Sequence, residues 1–290
     1  MKITHLLNPL ARRFVAGETG REAVEAARQM NRLGIQGILD FLGEDVHSAN
    51  EAAAAAEEYV ELLGLIKAHG VDAAVSLKVS QMGLRISQKV CEANLSTVLE
   101  AAAGNGNFVW LDMEGSALTQ KTIEVFESLR SHFPNIGLCL QAYLVRTGGD
   151  LDRLMRTPRQ PAIRLCKGAY KESPDIAFRT KGAVDASYRV LTQKLLDHAE
   201  QGVFPAFATH DLRLIDYILQ QVKEKRLDPK HFEFQMLYGI QNKKLESLSK
   251  EGYRTRVYIP YGTAWLPYFI RRLRERKENV YFLLRNVFRM

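Results

Sequence analysis

Eight times along the chain a short apolar, β-branched run ends in a polar or charged residue, and a helix-like stretch follows. The runs are Gly34–Phe41, Ala73–Ser80, Phe108–Glu114, Ile136–Leu144, Ala162–Gly168, Val203–His210, Phe232–Gly239 and Thr255–Gly262. Near-continuous hydrophobic runs are the mark of parallel strands buried on both faces, and strands alternating with helices imply a parallel sheet. Eight such units close into an α/β fold of the TIM type, a (βα)8 barrel. A barrel of this kind takes roughly 250 residues. The 290 residues present leave room for an N-terminal helical arm and little else. We therefore expect one domain over 1–290, with an arm and helix at 1–33 and the barrel with a C-terminal helix at 34–290.

The helical stretches read as Arg21–Leu33, Ala49–Ala68 with Ser48 as its N-cap, Ser87–Ala103, Thr119–His132, Val184–Glu200, Asp211–Arg226, Asn242–Glu251 and Leu266–Arg276. The helix after the fourth strand is short: Gly148, Gly149 and Pro158 bracket Asp150–Arg156. Tyr170–Ala183 is an extended polar connection, and long loops at strand C-termini are commonly functional. No run reaches the ~18 apolar residues of a membrane span. The first residues lack an apolar signal core. A cytoplasmic chain, in contact with a membrane only at its surface, is the expectation. Cys91, Cys139 and Cys166 are widely spaced, and buried inert thiols in a reducing compartment account for them.

Barrel active sites gather at the C-terminal ends of the strands. Those ends supply Asp40 and Glu44, Lys78, Asp112 and Glu114, Gln141 and Tyr143, Arg164 and Lys167, Thr209 and His210, Gln235 and Tyr238, and Tyr258 and Tyr261. A set rich in cations and hydrogen-bond donors suits an anionic ligand. No metal is expected: His5, His47, His69, His132, His198, His210 and His231 have no close ligand spacing. Asp112 and Glu114, two residues apart, fall on one strand face and read as ion-paired acceptors. After the eighth strand, Pro267 fits a first helical turn. Tyr268 then shares a face with Arg271 and Arg272, and both arginines share one with Glu275. An aromatic wall, two guanidinium forks and a carboxylate would grip a substrate carboxylate bidentately.

The net charge of +7 rests partly on Lys2, Arg12 and Arg13 and on Arg274, Arg276 and Lys277. These cations could meet a bilayer surface or nucleic acid. No aromatic–basic interleaving of the RNA-module kind is present, and no glycine-rich dinucleotide or phosphate loop. Lys78 or Lys167 in a barrel mouth would also suit a Schiff-base aldolase.

Taken in order, FLGE at 41–44, SLKVSQ at 76–81, LDMEGS at 111–116, LQAYLVR at 140–146, RLCKGAYKE at 164–172, FATHD at 207–211, FEFQMLYG at 232–239 and YIPYGTAWLPYFIRR at 258–272 resemble the proline dehydrogenases, in their short bacterial form. The resemblance covers essentially the whole chain, one motif per strand end. It implies FAD as cofactor and oxidation of L-proline to 1-pyrroline-5-carboxylate by hydride transfer from C5 to flavin N5. It further implies a quinone as electron acceptor, and a separate pyrroline-5-carboxylate dehydrogenase as a possible partner. By the same resemblance, Lys78, Arg271 and Arg272 hold the substrate carboxylate, Glu275 orients the arginines, and Tyr170, Tyr258 and Tyr268 wall the ring. Asp112 and Arg164 are the catalytic candidates. Met113, Gln141, Arg164, Lys167, Gly168, Ala169, Thr209 and His210 are the implied cofactor contacts, with no nucleic acid involved.

Overall fold

A computed structural model describes residues 11–275 apart from Pro158, with side chains as far as Arg272. Lys2, the Glu275 side chain, and Arg274, Arg276 and Lys277 fall outside the described side chains. So does the end of the last helix expected at Arg276.

All eight expected strands are present: β1 (Gln36–Phe41), β2 (Ala73–Lys78), β3 (Val109–Asp112), β4 (Ile136–Gln141), β5 (Ala162–Cys166), β6 (Phe204–Ala208), β7 (Glu233–Leu237) and β8 (Thr255–Tyr261). Each pairs in parallel with its sequence neighbour, and β8 returns to β1, so the sheet closes in the order β1 to β8. The helices are α1 (Gly20–Asn31), α2 (Ala49–Ala68), α3 (Gln88–Gly104), α4 (Ser116–Arg130), α5 (Thr147–Met155), α6 (Lys181–Asp197), α7 (Leu212–Lys225), α8 (Asn242–Lys250) and α9 (Trp265–Glu275).

Local chemistry sets most helix starts. Thr19 opens α1 with a reciprocal capping box to Glu22, Ser48 accepts from Glu51 N to open α2, and Ser87 accepts from Val90 N to open α3. Three starts differ from expectation by three residues. The helix α4 begins at Ser116 rather than Thr119. The helix α5 begins at Thr147 and takes in Gly148 and Gly149, because Arg146 pairs with Asp150 and the Thr147 hydroxyl donates to Gln141 O. The helix α6 begins three residues early because Thr180 caps it through Ala183 N.

Strand alternation divides the barrel into two layers. Leu39, Val75, Leu111, Leu138, Leu165, Phe234 and Ile259 face outward and join the helices in the main core. The other face of the strands holds a smaller cluster of Ile38, Ala74, Trp110 and Ala206, above which the side chains turn polar. Gly137 is required here. A Cβ on it would stand 2.6 Å from the Trp110 ring, which floors the mouth.

A third cluster ties the chain's early and late segments together. Ala11, Phe14 and Val15 pack with Leu42, Ile240, Trp265, Tyr268 and Phe269. Ala16 N donates to Pro260 O, and Gly262 N donates to Gly17 O. The segment before α1 thus braces α9 over the end of β8.

Candidate active site

Arg164, on β5, is the hub of the mouth, and it is 3% exposed. Its Nη1 donates to Asp112 Oδ1 at 2.7 Å and to Ser76 Oγ at 3.0 Å, and its Nε donates to Gln235 Oε1 at 2.7 Å. The guanidinium lies 4.7 Å from the Trp110 ring centroid and 5.6 Å from that of Tyr258. Only Nη2 is left, buried and without a partner among the described residues. Asp112 accepts in addition from Tyr258 Oη at 2.6 Å and from Ser76 Oγ at 2.9 Å.

Beside this hub, Lys78 Nζ stands 3.1 Å from Asp40 Oδ1 and 3.7 Å from Asp112 Oδ2. Burial opposes the lysine's charge, but Asp40, Asp112 and Glu44 outweigh it and hold its pKa above the ordinary value. Burial pushes the Asp40 carboxyl up, with the neighbouring Asp112 adding to the shift against the pull of Lys78. Burial, followed by Asp112 and Asp40, pushes the Tyr258 phenol up as well. Lys78 therefore stays a cation, unsuited to the nucleophilic amine that a Schiff base needs.

Deeper in the barrel, a second run of hydrogen bonds supports Arg164. Gln235 Nε2 donates to Glu233 Oε1, and Arg256 Nε donates to Glu233 Oε2 at 2.9 Å. Glu233 is fully buried. With Glu233 acting only as an acceptor, the Gln235 amide has one orientation, its oxygen turned to Arg164.

The α9 clamp has the expected helical spacing. Arg271 and Arg272 lie 5.8 Å and 5.3 Å from the Tyr268 centroid, and Arg271 lies 5.8 Å from that of Tyr170. Arg271 Nη1 pairs with Glu44 Oε1 at 3.3 Å, so a carboxylate from the end of β1 holds this arginine.

The expected cofactor contacts line the same cavity, of about 510 Å³, as the substrate candidates. Gln141 Nε2 donates to Met113 O at 2.7 Å and Glu114 O at 3.0 Å, which leaves its Oε1 buried and without a partner among the described residues. Gly168 has φ of 105°, and a Cβ there would stand 2.0 Å from the Tyr143 ring. Only glycine gives this turn its close approach. Thr209 Oγ1 accepts from Asp211 N, and His210 Nε2 accepts from Leu237 N at 2.9 Å.

Three expectations are corrected. Asp112 is ion-paired as expected, but Glu114 does not share its strand face: β3 stops at Asp112, and Glu114 turns away to accept from Ser80 N and Ser80 Oγ. Lys167 does not present a free charge to the cavity. Asp185 and Asp211 both bind it, and Lys181 bridges the same two carboxylates. Cys166 is only half-buried and faces the cavity, with its Sγ 3.6 Å from Cys139 Sγ. The Cys139 thiol beside it, outweighing burial, lowers the Cys166 pKa below its ordinary value.

Ser76, Glu233 and Arg256 belong to the site's network but are not marked by their place at strand ends. The period-2 alternation within β2, β7 and β8 is the signal that would have found the inward-facing three. Among the described residues no cluster suits a metal ion, and no helix is long and apolar enough to cross a membrane.

This is a closed (βα)8 barrel whose mouth sets cations, tyrosines and two unfilled hydrogen-bonding atoms around one cavity, the makings of an enzyme site for a small anionic molecule. Residues 23–285 match the proline dehydrogenase family, and the chain belongs to it. It is 39% identical over 277 residues to proline dehydrogenase 1 of Bacillus subtilis, covering 96% of this chain and 90% of that one. It is 37% identical over 283 residues to the proline dehydrogenase of Deinococcus radiodurans, with the same coverage. Among solved structures, the fold superposes on proline utilization A from Bdellovibrio bacteriovorus, inactivated by N-propargylglycine. That superposition has a TM-score of 0.86 and 26% identity, covering 93% of this chain and 33% of that longer one.

Proposed function

We propose that the chain oxidises L-proline to 1-pyrroline-5-carboxylate, with FAD as its cofactor. The observation that carries this reading is the pair of buried, unfilled atoms in one cavity. Arg164 Nη2 is a donor and Gln141 Oε1 an acceptor, and both are available to a flat heteroaromatic ring with complementary edges. The tight Gly168 turn, Ala169, Met113, Thr209 and His210 would hold the rest of it. FAD, when bound, supplies the acceptor for the hydride that leaves proline C5.

The chain's own residues bind and orient. Lys78, Arg271 and Arg272 grip the substrate carboxylate, with Glu44 steadying Arg271. Tyr170, Tyr258 and Tyr268 wall the pyrrolidine ring. Within the hub, Asp40 and Asp112 offset Lys78 and Arg164, so the positive charge left for the incoming carboxylate is that of the α9 arginines less Glu44. Asp112 accepts three hydrogen bonds already, which fits it to fix Arg164 and Tyr258 rather than to take the amine's proton. Fixing distance and angle in this way is where positioning lowers the barrier. With Lys78 and Lys167 both held by carboxylates, the Schiff-base alternative loses its nucleophile.

Electrons then pass to a quinone, the protein works in the cytoplasm or at a membrane surface, and a separate dehydrogenase takes the product. The test is optical. Protein purified with FAD should be yellow and bleach on anaerobic addition of proline, and a bound flavin that proline does not bleach overturns the reading. Quinone-dependent turnover and sedimentation with vesicles test the acceptor and the location.

A further inference from the structure

The helix α4 begins without a cap of its own. Its N-cap residue is Gly115, which has no side chain to satisfy the first amides. The carboxylate that does so comes from 56 residues further on. Glu172 Oε1 accepts from Ser116 N at 2.7 Å, and its Oε2 accepts from Ser116 Oγ. A carboxylate at a helix N-terminus is favoured by both the free amides and the helix dipole. Here it joins the β5–α6 loop to the end of the β3–α4 connection, across the intervening strand β4.

Elsewhere the loop's backbone is anchored at its two ends, and the Tyr143 phenol lies against the Glu172 carboxylate as well. On one side Tyr143 N donates to Lys167 O, and Gly168 packs on the Tyr143 ring. On the other, Phe178 N donates to Tyr143 O and Val145 N to Ile176 O. Between these anchors lies Tyr170, whose ring faces Arg271. A Cβ placed on Gly115 would stand 3.6 Å from Glu172 Oε1 and 4.0 Å from the Tyr170 ring, so latch and ring share one contact.

We propose that Glu172 is a positioning residue. By capping α4 from the β5–α6 loop, it holds Tyr170 in place as a wall of the substrate site. The proposal rests on the proline-oxidising reading for its kinetic consequence and on geometry alone for the latch.

Two measurements separate these. Trypsin digestion of the whole protein reads the latch without any turnover, through cleavage after the exposed Lys171. Ser116→Ala leaves the cleavage site intact and removes the hydroxyl half of the latch while Ser116 N still donates, so faster cleavage in that variant reports loosening of the loop. Steady-state kinetics read the positioning. In Glu172→Ala, KM for proline should rise about tenfold, the factor equivalent to ~1.4 kcal/mol, while kcat changes little. Adding Ser116→Ala to Glu172→Ala should raise KM no further, because the two act as one unit. Glu172→Gln should restore most of the affinity, since its amide oxygen still accepts from Ser116 N and the serine hydroxyl can turn to accept. Overturning results are an unchanged KM in Glu172→Ala, independent effects of the two substitutions, a Glu172→Gln variant as impaired as the alanine, or unchanged cleavage in Ser116→Ala. If proline is not oxidised at all, the functional reading fails while the digestion still reports on the latch.

Discussion

Replacing Gln235 with leucine removes one side chain and takes a hydrogen bond from each of two buried groups. Arg164 Nε loses the oxygen 2.7 Å away, and Glu233, fully buried, loses the amide that donates to it. A hydrogen bond to a charged group contributes ~1.5–3 kcal/mol, and an unsatisfied buried charge costs more than a neutral one. Two such losses, offset in part by the leucine's apolar burial, set the expected destabilisation at ~4 kcal/mol. In a chain of this size that lowers Tm by about 10 °C. Arg164 keeps its Nη1 bonds to Asp112 and Ser76, so it stays in the mouth but pivots about them. The free Nη2 then loses its aim, and kcat/KM should fall at least about tenfold, or ~1.4 kcal/mol of transition-state stabilisation. Glu233→Gln should be milder. Its single oxygen can keep Gln235 in register while Arg256, which lies 4.0 Å from the exposed Asp72, turns outward. Thermal melts and steady-state kinetics on the three proteins check the order. A Gln235→Leu variant that melts and turns over like the parent, or a Glu233→Gln variant worse than it, refutes the reasoning.

Gly168→Ala should lower both Tm and retained cofactor, seen by melting and by absorbance after gel filtration, because the new Cβ has no room beside Tyr143. In Asp211, burial pushes the carboxyl up, but hydrogen bonds from Lys167 and Lys181 outweigh it and hold its pKa well below the usual range. A carboxylate lowered on folding contributes stability above its unfolded value of about 3.9, and loses it as pH falls from there through the folded value. Denaturant midpoints taken between about pH 5 and pH 3 should therefore drop more steeply in the parent than in Asp211→Asn. Phe14→Ala, in the cluster that braces α9, should cost ~3 kcal/mol and raise KM for proline. An unchanged KM would separate the brace from binding. Burial pushes the Cys91 thiol up to about 12, whereas Cys166 faces the cavity. Iodoacetamide with mass mapping should label Cys166 well before Cys91.

The barrel could be read from sequence because its strands carry their signal locally: each apolar run and its polar end lie within a few consecutive residues. The α9 clamp could be read for the same reason, since Tyr268, Arg271 and Arg272 fall on one face by helical spacing alone. What could not be read is pairing between elements. That Glu44 reaches Arg271, that Glu172 caps α4, and that Lys167 is held by Asp185 and Asp211 depend on which loops meet over the mouth. The Glu233–Arg256 pair was hidden differently. Glu233 opens β7 and Arg256 is second in β8, both away from the C-terminal ends, in the stretch where strands read as continuous apolar runs conceal an inward-facing polar row. The start of α5 was missed because two glycines read as a break, although Arg146 and Asp150 pair across them.

The cluster that joins Phe14 to Phe269 has a consequence for how the molecule is made. One half of that contact leaves the ribosome long before the other. Until α9 is made, the nascent barrel lacks Tyr268 and both α9 arginines, and the early apolar segment lacks its packing partners. The growing chain can bury much of its core strand by strand, yet the mouth cannot grip a carboxylate until α9 emerges and docks. Ligand-binding competence is therefore acquired late and in one step, when that helix reaches the segment waiting for it.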